Sequence, residues 1–383
     1  MRYTTAGESH GRALVAIVSD VPAGVSLDAA SIDAELVRRQ IGYGRGGRMK
    51  IESDRAIVLS GVRFGRTIGS PVALTIGNRD WDNWTDVMSV WGSDEDVARL
   101  TAPRPGHADL AGCQKTGAGD IRDILERASA RETAARVASG AIAKALLRHL
   151  GVSVESFVQS IGDVALVEGH DISKVDAVVV EASDVRCPDD AVAARMRSAI
   201  DMAKEAGESL GGVFVVLAKG LVPGLGGYAQ ADQRLDAKLG SAVFSIPAIK
   251  GVEFGDGFAL AARPGSHAHD AIRYSPDAGV QRDTNRAGGL EGGMTNGEIL
   301  VVRAAMKPIP TLMTPLASFD LVSGAAVDAS RERSDVCAVP AAAVVAEAEV
   351  ALVLASAYAA KFGGDCVSDM IAALDAYRAR LAP

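Results

Sequence analysis

The chain has 383 residues, 48% hydrophobic and 23% charged, enough to bury a sizeable core in one large domain or in about two or three ordinary ones. Its net charge of −8 argues against a general nucleic-acid or membrane-surface binder. The cysteines Cys113, Cys187, Cys337 and Cys366 form no C-x-x-C pair, which fits neither a zinc site nor a disulfide framework and suits a reducing cytoplasm.

The start, Met1-Arg2-Tyr3-Thr4-Thr5, lacks the apolar core of a signal peptide, so a cytoplasmic location is expected. Alternation or β-branched composition then predicts strands at Ala13–Ser19, Arg55–Val62 and Val72–Ile76. Helical spacing predicts helices at Ala29–Gln40 and Ala128–Leu150, and a weaker one at Asp190–Glu205. Further strands are expected at Val213–Ala218, Phe258–Ala262 and Ile299–Arg303, and a last long helix at Ala338–Lys361. That helix holds Glu347 and Glu349 near its middle and Pro340 near its start, so it reads as a buried helix rather than a membrane span. Strands cluster before helices within each half, which favours α+β with antiparallel sheets over a doubly wound parallel sheet.

The chain echoes itself. Ala6-Gly7-Glu8-Ser9-His10-Gly11 followed by Val21-Pro22-Ala23-Gly24 returns as Ala206-Gly207-Glu208-Ser209-Leu210-Gly211 followed by Val222-Pro223-Gly224. Ile32 to Leu36 matches Leu235 to Leu239, and Gly61 to Gly65 matches Gly251 to Gly255. Arg104 to Gly112 matches Arg286 to Gly293, and Arg127 and Arg333 each precede a long helix. Matches kept in order predict one domain over residues 1–383 with an internal pseudo-two-fold repeat, halves 1–200 and 201–383, and His10 replaced by Leu210 in the second copy.

Of the histidines His10, His107, His149, His170, His267 and His269, two sit in glycine-flanked polar turns: Glu8-Ser9-His10-Gly11 and Arg104-Pro105-Gly106-His107-Ala108-Asp109. An imidazole is the natural proton-transfer group near neutral pH, although one isolated histidine is more often structural. His149 at a helix end reads as structural, where a cation suits the dipole. His267-Ala268-His269 would share one face of a strand without a third ligand, so no metal site is expected. Arg38 to Lys50 carries five cations, four glycines and no acid, a concentrated positive segment suited to phosphate or carboxylate, or else a solvated loop. It is not a P-loop. Arg127-Ala128-Ser129-Ala130-Arg131-Glu132-Thr133 has a capping-box pattern with two arginines that oppose the helix dipole, which points to an anion. Met306 to Thr311 and Arg333-Ser334-Asp335 are further anion candidates, with Asp335 either a base or an arginine partner.

Together these segments resemble the chorismate synthase family from Met1 to about Phe362. The matching stretches are Thr5 to Gly11, Gly44 to Glu52, Arg104 to Leu110, Arg127 to Thr133, Asn285 to Gly289 and Arg333 to Cys337. The resemblance implies anti-1,4-elimination of phosphate from 5-enolpyruvylshikimate 3-phosphate to give chorismate, with reduced FMN required but no net redox change. It implies that His10 protonates the departing phosphate, that His107 acts on the reduced flavin, and that Asp335 assists removal of the C6 proton through the flavin. Arg39, Arg45, Arg48, Arg104, Ser129, Arg131 and Arg333 would hold substrate anions, with NADP a competing ligand for Arg39 and Arg45. FMN contacts fall at Arg127, Ala128, Ser129, Pro247, Ala248, Gly292, Lys307, Pro308, Ile309, Pro310, Thr311 and Arg333. The family fold is a helical layer sandwiched between antiparallel β-sheets, assembled as a homotetramer. No added reductase domain is recognisable, so an external flavin reductase, with NADPH as electron source, is expected. Pro310 replaces a common serine and Cys366 another, and neither touches the proposed proton donors. A non-catalytic flavin or nucleotide carrier is the alternative, and an RNA-binding module ranks last because few aromatics are present for stacking.

Overall fold

Period-two alternation builds the first sheet. β1 (Arg2–Ala6) pairs with β2 (Ala13–Ser19), whose Leu14, Ala16 and Val18 are buried while Ile17 faces outward. The helix α1 (Ala29–Gln40) matches its expected bounds, with the Asp28 carboxylate accepting the Ser31 N–H as its N-cap. Then come β3 (Ala56–Val58), the hairpin β4 (Val62–Arg63) and β5 (Arg66–Thr67), and β6 (Val72–Gly77). The sheet order is β1-β2-β6-β3, antiparallel throughout. The single strand expected over Arg55–Val62 is divided, because Gly61 turns the chain at φ +81° where a Cβ would lie 2.5 Å from the Pro71 carbonyl. This structure is a computed structural model, and it describes residues 1–46, 53–167, 172–332 and 335–382.

Two short packed helices, α2 (Asp109–Thr116) and α3 (Arg122–Ala128), lead to the long buried α4 (Thr133–His149). The continuous helix expected over Ala128–Leu150 is therefore interrupted. Ser129 is extended at φ −66° and ψ 145°, and a 3-10 turn covers Ala130–Glu132. The expected capping box is absent as well: Ser129 Oγ accepts the Arg131 N–H at 3.3 Å, while Glu132 accepts from the Thr5 hydroxyl and from Arg136. The interruption turns Arg131 inward, where a buried carboxylate waits.

The second region holds β7 (Ser153–Ile161), β8 (Val164–Ala165), α5 (Ala177–Ala182), α6 (Asp190–Glu205), β9 (Gly212–Lys219), α7 (Leu235–Phe244) and β10 (Ile249–Phe254). Short α8 (Phe258–Ala261) and α9 (Gly265–Ala268) follow, then hairpins β11 (Ile272–Ser275) with β12 (Gly279–Arg282) and β13 (Leu290–Glu291) with β14 (Met294–Thr295). After β15 (Leu300–Met306) come β16 (Ala317–Phe319), β17 (Ala326–Asp328), α10 (Val339–Phe362) and α11 (Val367–Leu381). The second sheet has the order β10-β15-β9-β7-β8, again antiparallel. The strand expected at Phe258–Ala262 is instead α8: Gly257 turns the chain at φ +49°, Phe258 is exposed, and alanine favours a helical turn once no sheet partner is present. His267 lies in α9 and not in a strand, and both it and His269 are exposed.

The helices form the middle of this α+β fold. α4 packs on β2 and α1, while α10 packs on β7, β9 and α7. α4 and α10 cross closely at Gly140, where a Cβ would come within 2.2 Å of Ala348 Cβ. α10 is long and apolar enough to cross a membrane, yet 89% of its most apolar window is buried inside the protein. Buried in it, Glu347 accepts from Arg38, Lys144, Arg186 and the Ser156 hydroxyl. Burial alone would raise the Glu347 pKa, but Lys144 and Arg38 hold it far below the ordinary carboxylate range. Nearby Glu181 is likewise opposed by burial, yet hydrogen bonds from Arg38 and Arg186 bring it down to about 2.

Two outcomes follow. Gly140→Ala should destabilise the fold by about 1–3 kcal/mol in urea titration, because the added methyl has no room at the α4–α10 crossing. A carboxylate whose folded pKa is depressed contributes stability that is present above its unfolded pKa and lost as pH falls towards the folded value. The stability gap between wild type and Glu181→Gln, measured by urea titration, should therefore be largest near pH 6 and shrink between about pH 4.5 and pH 2.

Candidate active site

The turn between β1 and β2 needs glycine. Gly7 has φ +102°, and a Cβ there would lie 2.3 Å from the Ala13 carbonyl. The turn delivers Ser9 and His10 to Glu126 on α3. The His10 backbone N–H donates to Glu126 Oε2 at 2.7 Å, His10 Nδ1 lies 2.8 Å from Oε1, and the Ser9 N–H donates to the Glu126 carbonyl at 2.9 Å. The His10 ring stacks on Trp84 with centroids 3.8 Å apart, and Trp84 Nε1 donates to Asp80. Ser129 Oγ donates to Ser9 Oγ at 3.1 Å, so the two motif serines meet.

Asn78, just past β6, ties this turn to the arginines. Its Nδ2 donates to the carbonyls of Glu8 and Gly11, and its Oδ1 accepts from Arg131 Nε at 2.9 Å. Arg131 and Arg39 then share one buried carboxylate, Asp54, with Arg39 Nη2 at 2.6 Å. Burial would raise Asp54, but the two guanidiniums outweigh it and lower its pKa. Burial, with Arg45 and Arg131 close by, pulls Arg39 down to about 10, so it stays charged at neutral pH. Arg45 pairs with Asp335 at 3.2 Å, and the Gly46 N–H donates to the same carboxylate at 2.6 Å. In the described part of the basic segment, up to Gly46, Arg38, Arg39 and Arg45 all meet carboxylates. Arg48 and Arg333 lie outside the described residues, as does His170.

The second histidine also faces a carboxylate, although its Nδ1 lies 3.0 Å from Arg104 Nη2 as well. His107 Nδ1 faces Asp109 Oδ1, and Arg104 grips the other oxygen through its backbone N–H at 3.0 Å and Nε at 2.9 Å. Burial would raise Asp109, but His107 and Arg104 hold it well below the usual carboxylate range. Arg104 also donates to the Thr311 hydroxyl at 3.0 Å, and Lys307 Nζ donates to the Gly106 carbonyl. The Ile309 carbonyl accepts from the Ser209 hydroxyl, and Pro310 stands beside Gly106, so the Lys307-Pro308-Ile309-Pro310-Thr311 segment seats directly on the His107 turn. The packed α2–α3 pair joins this group to the His10 group.

Tyr3, Thr5, Arg127, Ala128, Ser129, Arg136 and Pro247 help to line a cavity of about 420 Å³. Arg127 also donates to the Thr5 and Gly7 carbonyls, which locks the β1–β2 turn. Ala248, at φ +68°, accepts the Lys307 N–H at 3.0 Å and links this cavity to the Lys307–Thr311 segment. Gly292 sits in the β13–β14 turn and is not in the cavity lining. His149 Nε2 accepts the Ser26 N–H, a structural contact. Among the described residues no group of three metal-ligating side chains occurs.

The sequence reading missed Glu126, Asp54, Asn78 and Trp84. Only Asp109 stood inside a motif already noticed; the others come from distant positions, and no local spacing signals their pairing.

The family model for chorismate synthase matches residues 1–359. The chorismate synthase of Symbiobacterium thermophilum is 56% identical over 390 residues, covering 100% of both chains. That of Moorella thermoacetica is 56% identical and covers 99% of this chain and 98% of its own. A crystal structure of chorismate synthase superposes with a TM-score of 0.81 at 42% identity, covering 100% of this chain and 98% of the other.

Asp54→Ala should cost about 3–5 kcal/mol in urea titration, because it strands two buried guanidiniums without their shared carboxylate.

Proposed function

The chain belongs to the chorismate synthase family, and from that premise we propose how its residues divide the work. As a chorismate synthase, a lyase of aromatic biosynthesis, it takes 5-enolpyruvylshikimate 3-phosphate to chorismate by losing the phosphate and a C6 hydrogen. The alternative of a non-catalytic flavin or nucleotide carrier is not favoured. Reduced FMN, when bound, would lend an electron transiently to the substrate to help phosphate depart, with no net redox change.

The observation that carries the division of roles is that His10 and His107 each set Nδ1 against a buried carboxylate, which points each Nε2 away from its support. His10 gives its Nε2 proton to a phosphate oxygen as the C–O bond breaks. His107 holds a proton on the cofactor side, and Asp335, braced by Arg45 and Gly46, serves the C6 side. Arg104, Arg131 and Ser129 hold substrate anions, and Arg39 shapes the site through Asp54; Arg48 and Arg333 complete that set. The flavin fits the polar cavity: Arg127 and Arg136 supply positive charge, Ser129 and Thr5 supply hydroxyls, and Ala128 with Pro247 supplies close backbone, with Ala248 next to Pro247 in the chain. Pro308 to Thr311, through Lys307, extends the same wall, and Gly292 remains a contact on the family pattern alone.

The burial of Arg39 against Asp54 and the pairing of Arg45 with Asp335 disfavour NADP at these positions. We therefore assign flavin reduction by NADPH to an external reductase in the cytoplasm. Apolar Ile17, Ile57, Leu59 and Ile68, exposed in and beside the first sheet, support assembly into a homotetramer. A duplicated frame is supported by matching order: β1-β2-β6-β3 corresponds to β7-β9-β15-β10. It is also supported by matching bonds. Thr67 accepts from Gly24 through its carbonyl and from Val25 through its hydroxyl, and Thr295 does the same with Gly224 and Leu225. On this correspondence the second copy starts at β7 rather than near residue 201. One continuous apolar core spans both copies, which supports a single domain.

Anaerobic turnover with photoreduced FMN should release phosphate and chorismate in equal amounts. His10→Ala and His107→Ala should each lower kcat by about 10²–10⁴-fold while flavin binding persists. Full turnover in either variant would refute its assigned role.

A further inference from the structure

Glu126 does more than fill space behind the site. It is 2% exposed, and its side chain and backbone make three hydrogen bonds to two consecutive residues, Ser9 and His10. Both carboxylate oxygens are used on the same histidine, one on its backbone N–H and one on its ring. A backbone N–H can only donate, and an ionised carboxylate can only accept. Nδ1 therefore carries its hydrogen towards Glu126, which leaves Nε2 as the atom that exchanges a proton with a ligand. The tautomer is fixed by the bond the other nitrogen makes.

The ring is held in plane as well as in azimuth. Trp84 stacks on it at an interplanar angle of 20°, and Asp80 anchors the indole through Nε1. Arg122 lies 5.4 Å from the Trp84 ring and 4.0 Å from Glu126, and it is the cation that faces this carboxylate from its own helix. On the turn itself Glu8 and Arg12 carry charge, and Arg127 donates to its Gly7 carbonyl.

We propose that Glu126 is the positioning residue of the elimination: it clamps His10 with Nδ1–H inward and Nε2 towards the departing phosphate, with Trp84 fixing the ring plane. The inference rests on the reading of His10 as the proton donor. In the step itself the Nε2–H bond breaks and an O–H bond forms on phosphate. The electron pair of the N–H bond stays on Nε2, and the Nδ1–H bond to Glu126 persists throughout.

Glu126→Gln is the sharp test because the amide cannot imitate both acceptors. Its oxygen is claimed by the obligate backbone donor, so its NH₂ faces Nδ1. That arrangement disfavours the doubly protonated ring and moves the neutral ring's hydrogen to Nε2. The expected result is a fall in kcat of at least about 10²-fold with KM for 5-enolpyruvylshikimate 3-phosphate within about twofold and flavin affinity unchanged. Glu126→Asp keeps an acceptor-only group and should recover part of that loss. A kcat for Glu126→Gln within about threefold of wild type would overturn the proposal.

Should the Gln variant fail to fold, 15N spectra of the histidine-labelled wild-type enzyme decide the matter, with His10 assigned by loss of its signals in His10→Asn. A neutral His10 protonated on Nδ1 supports the clamp, and one protonated on Nε2 overturns it. Full turnover by His10→Ala would instead sink the parent reading, and the nitrogen spectra would still report on the clamp.

Discussion

A buried or half-buried carboxylate stands behind each paired basic side chain of this site, and that constraint organises the fold around it. Glu126 holds His10, Asp109 holds His107 and Arg104, Asp54 holds Arg39 and Arg131, and Asp335 holds Arg45. An uncompensated charge in the interior costs several kcal/mol, so each basic group is tolerated only where its partner has been brought to it. Asp109 is local to its partners, but the other three come from farther along the chain: Asp54 precedes β3, Glu126 lies on α3, and Asp335 precedes α10. The sheets and helices must close correctly before those three can pair.

The two central helices meet that demand. α4 and α10 approach closely through Gly140 and Ala348, and their neighbouring turns carry Glu347 and Glu349 into the interior. Glu349, raised by burial, accepts from Tyr3 and Arg136, and Arg136 in turn reaches Glu132 and Ser245 beside the polar cavity. The helical core and the ligand-facing surface are therefore one hydrogen-bonded system. Such a network specifies geometry as much as it contributes stability, although Arg186 Nε in the Glu347 group is buried without a hydrogen-bond partner.

Much of this could be read in the sequence, for physical reasons. Alternation over Ala13–Ser19 and helical spacing over Ala29–Gln40 gave bounds that match β2 and α1, because each element buries one face. His10 and His107 stood out through their glycine-flanked polar turns. What failed was local inference about non-local pairing. Ser129 and Glu132 look like a capping box, yet Thr5 and Arg136 claim Glu132 and break the expected helix. Phe258–Ala262 has strand-like composition but finds no strand beside it. Arg38 to Lys50 reads as a positive segment for an anion or as a solvated loop, because Glu347, Asp54 and Asp335 are invisible at that range. Nor does any spacing mark Glu126 or Trp84 as companions of His10.

A structure of the ternary complex with oxidised FMN and 5-enolpyruvylshikimate 3-phosphate measures the central claim most directly. The account predicts the substrate phosphate about 2.6–3.2 Å from His10 Nε2, within reach of Ser129 and Arg131, with the flavin against Arg127, Pro247 and the Lys307–Thr311 wall. A substrate phosphate seated away from His10, with that ring turned out of its Glu126 clamp, would contradict it.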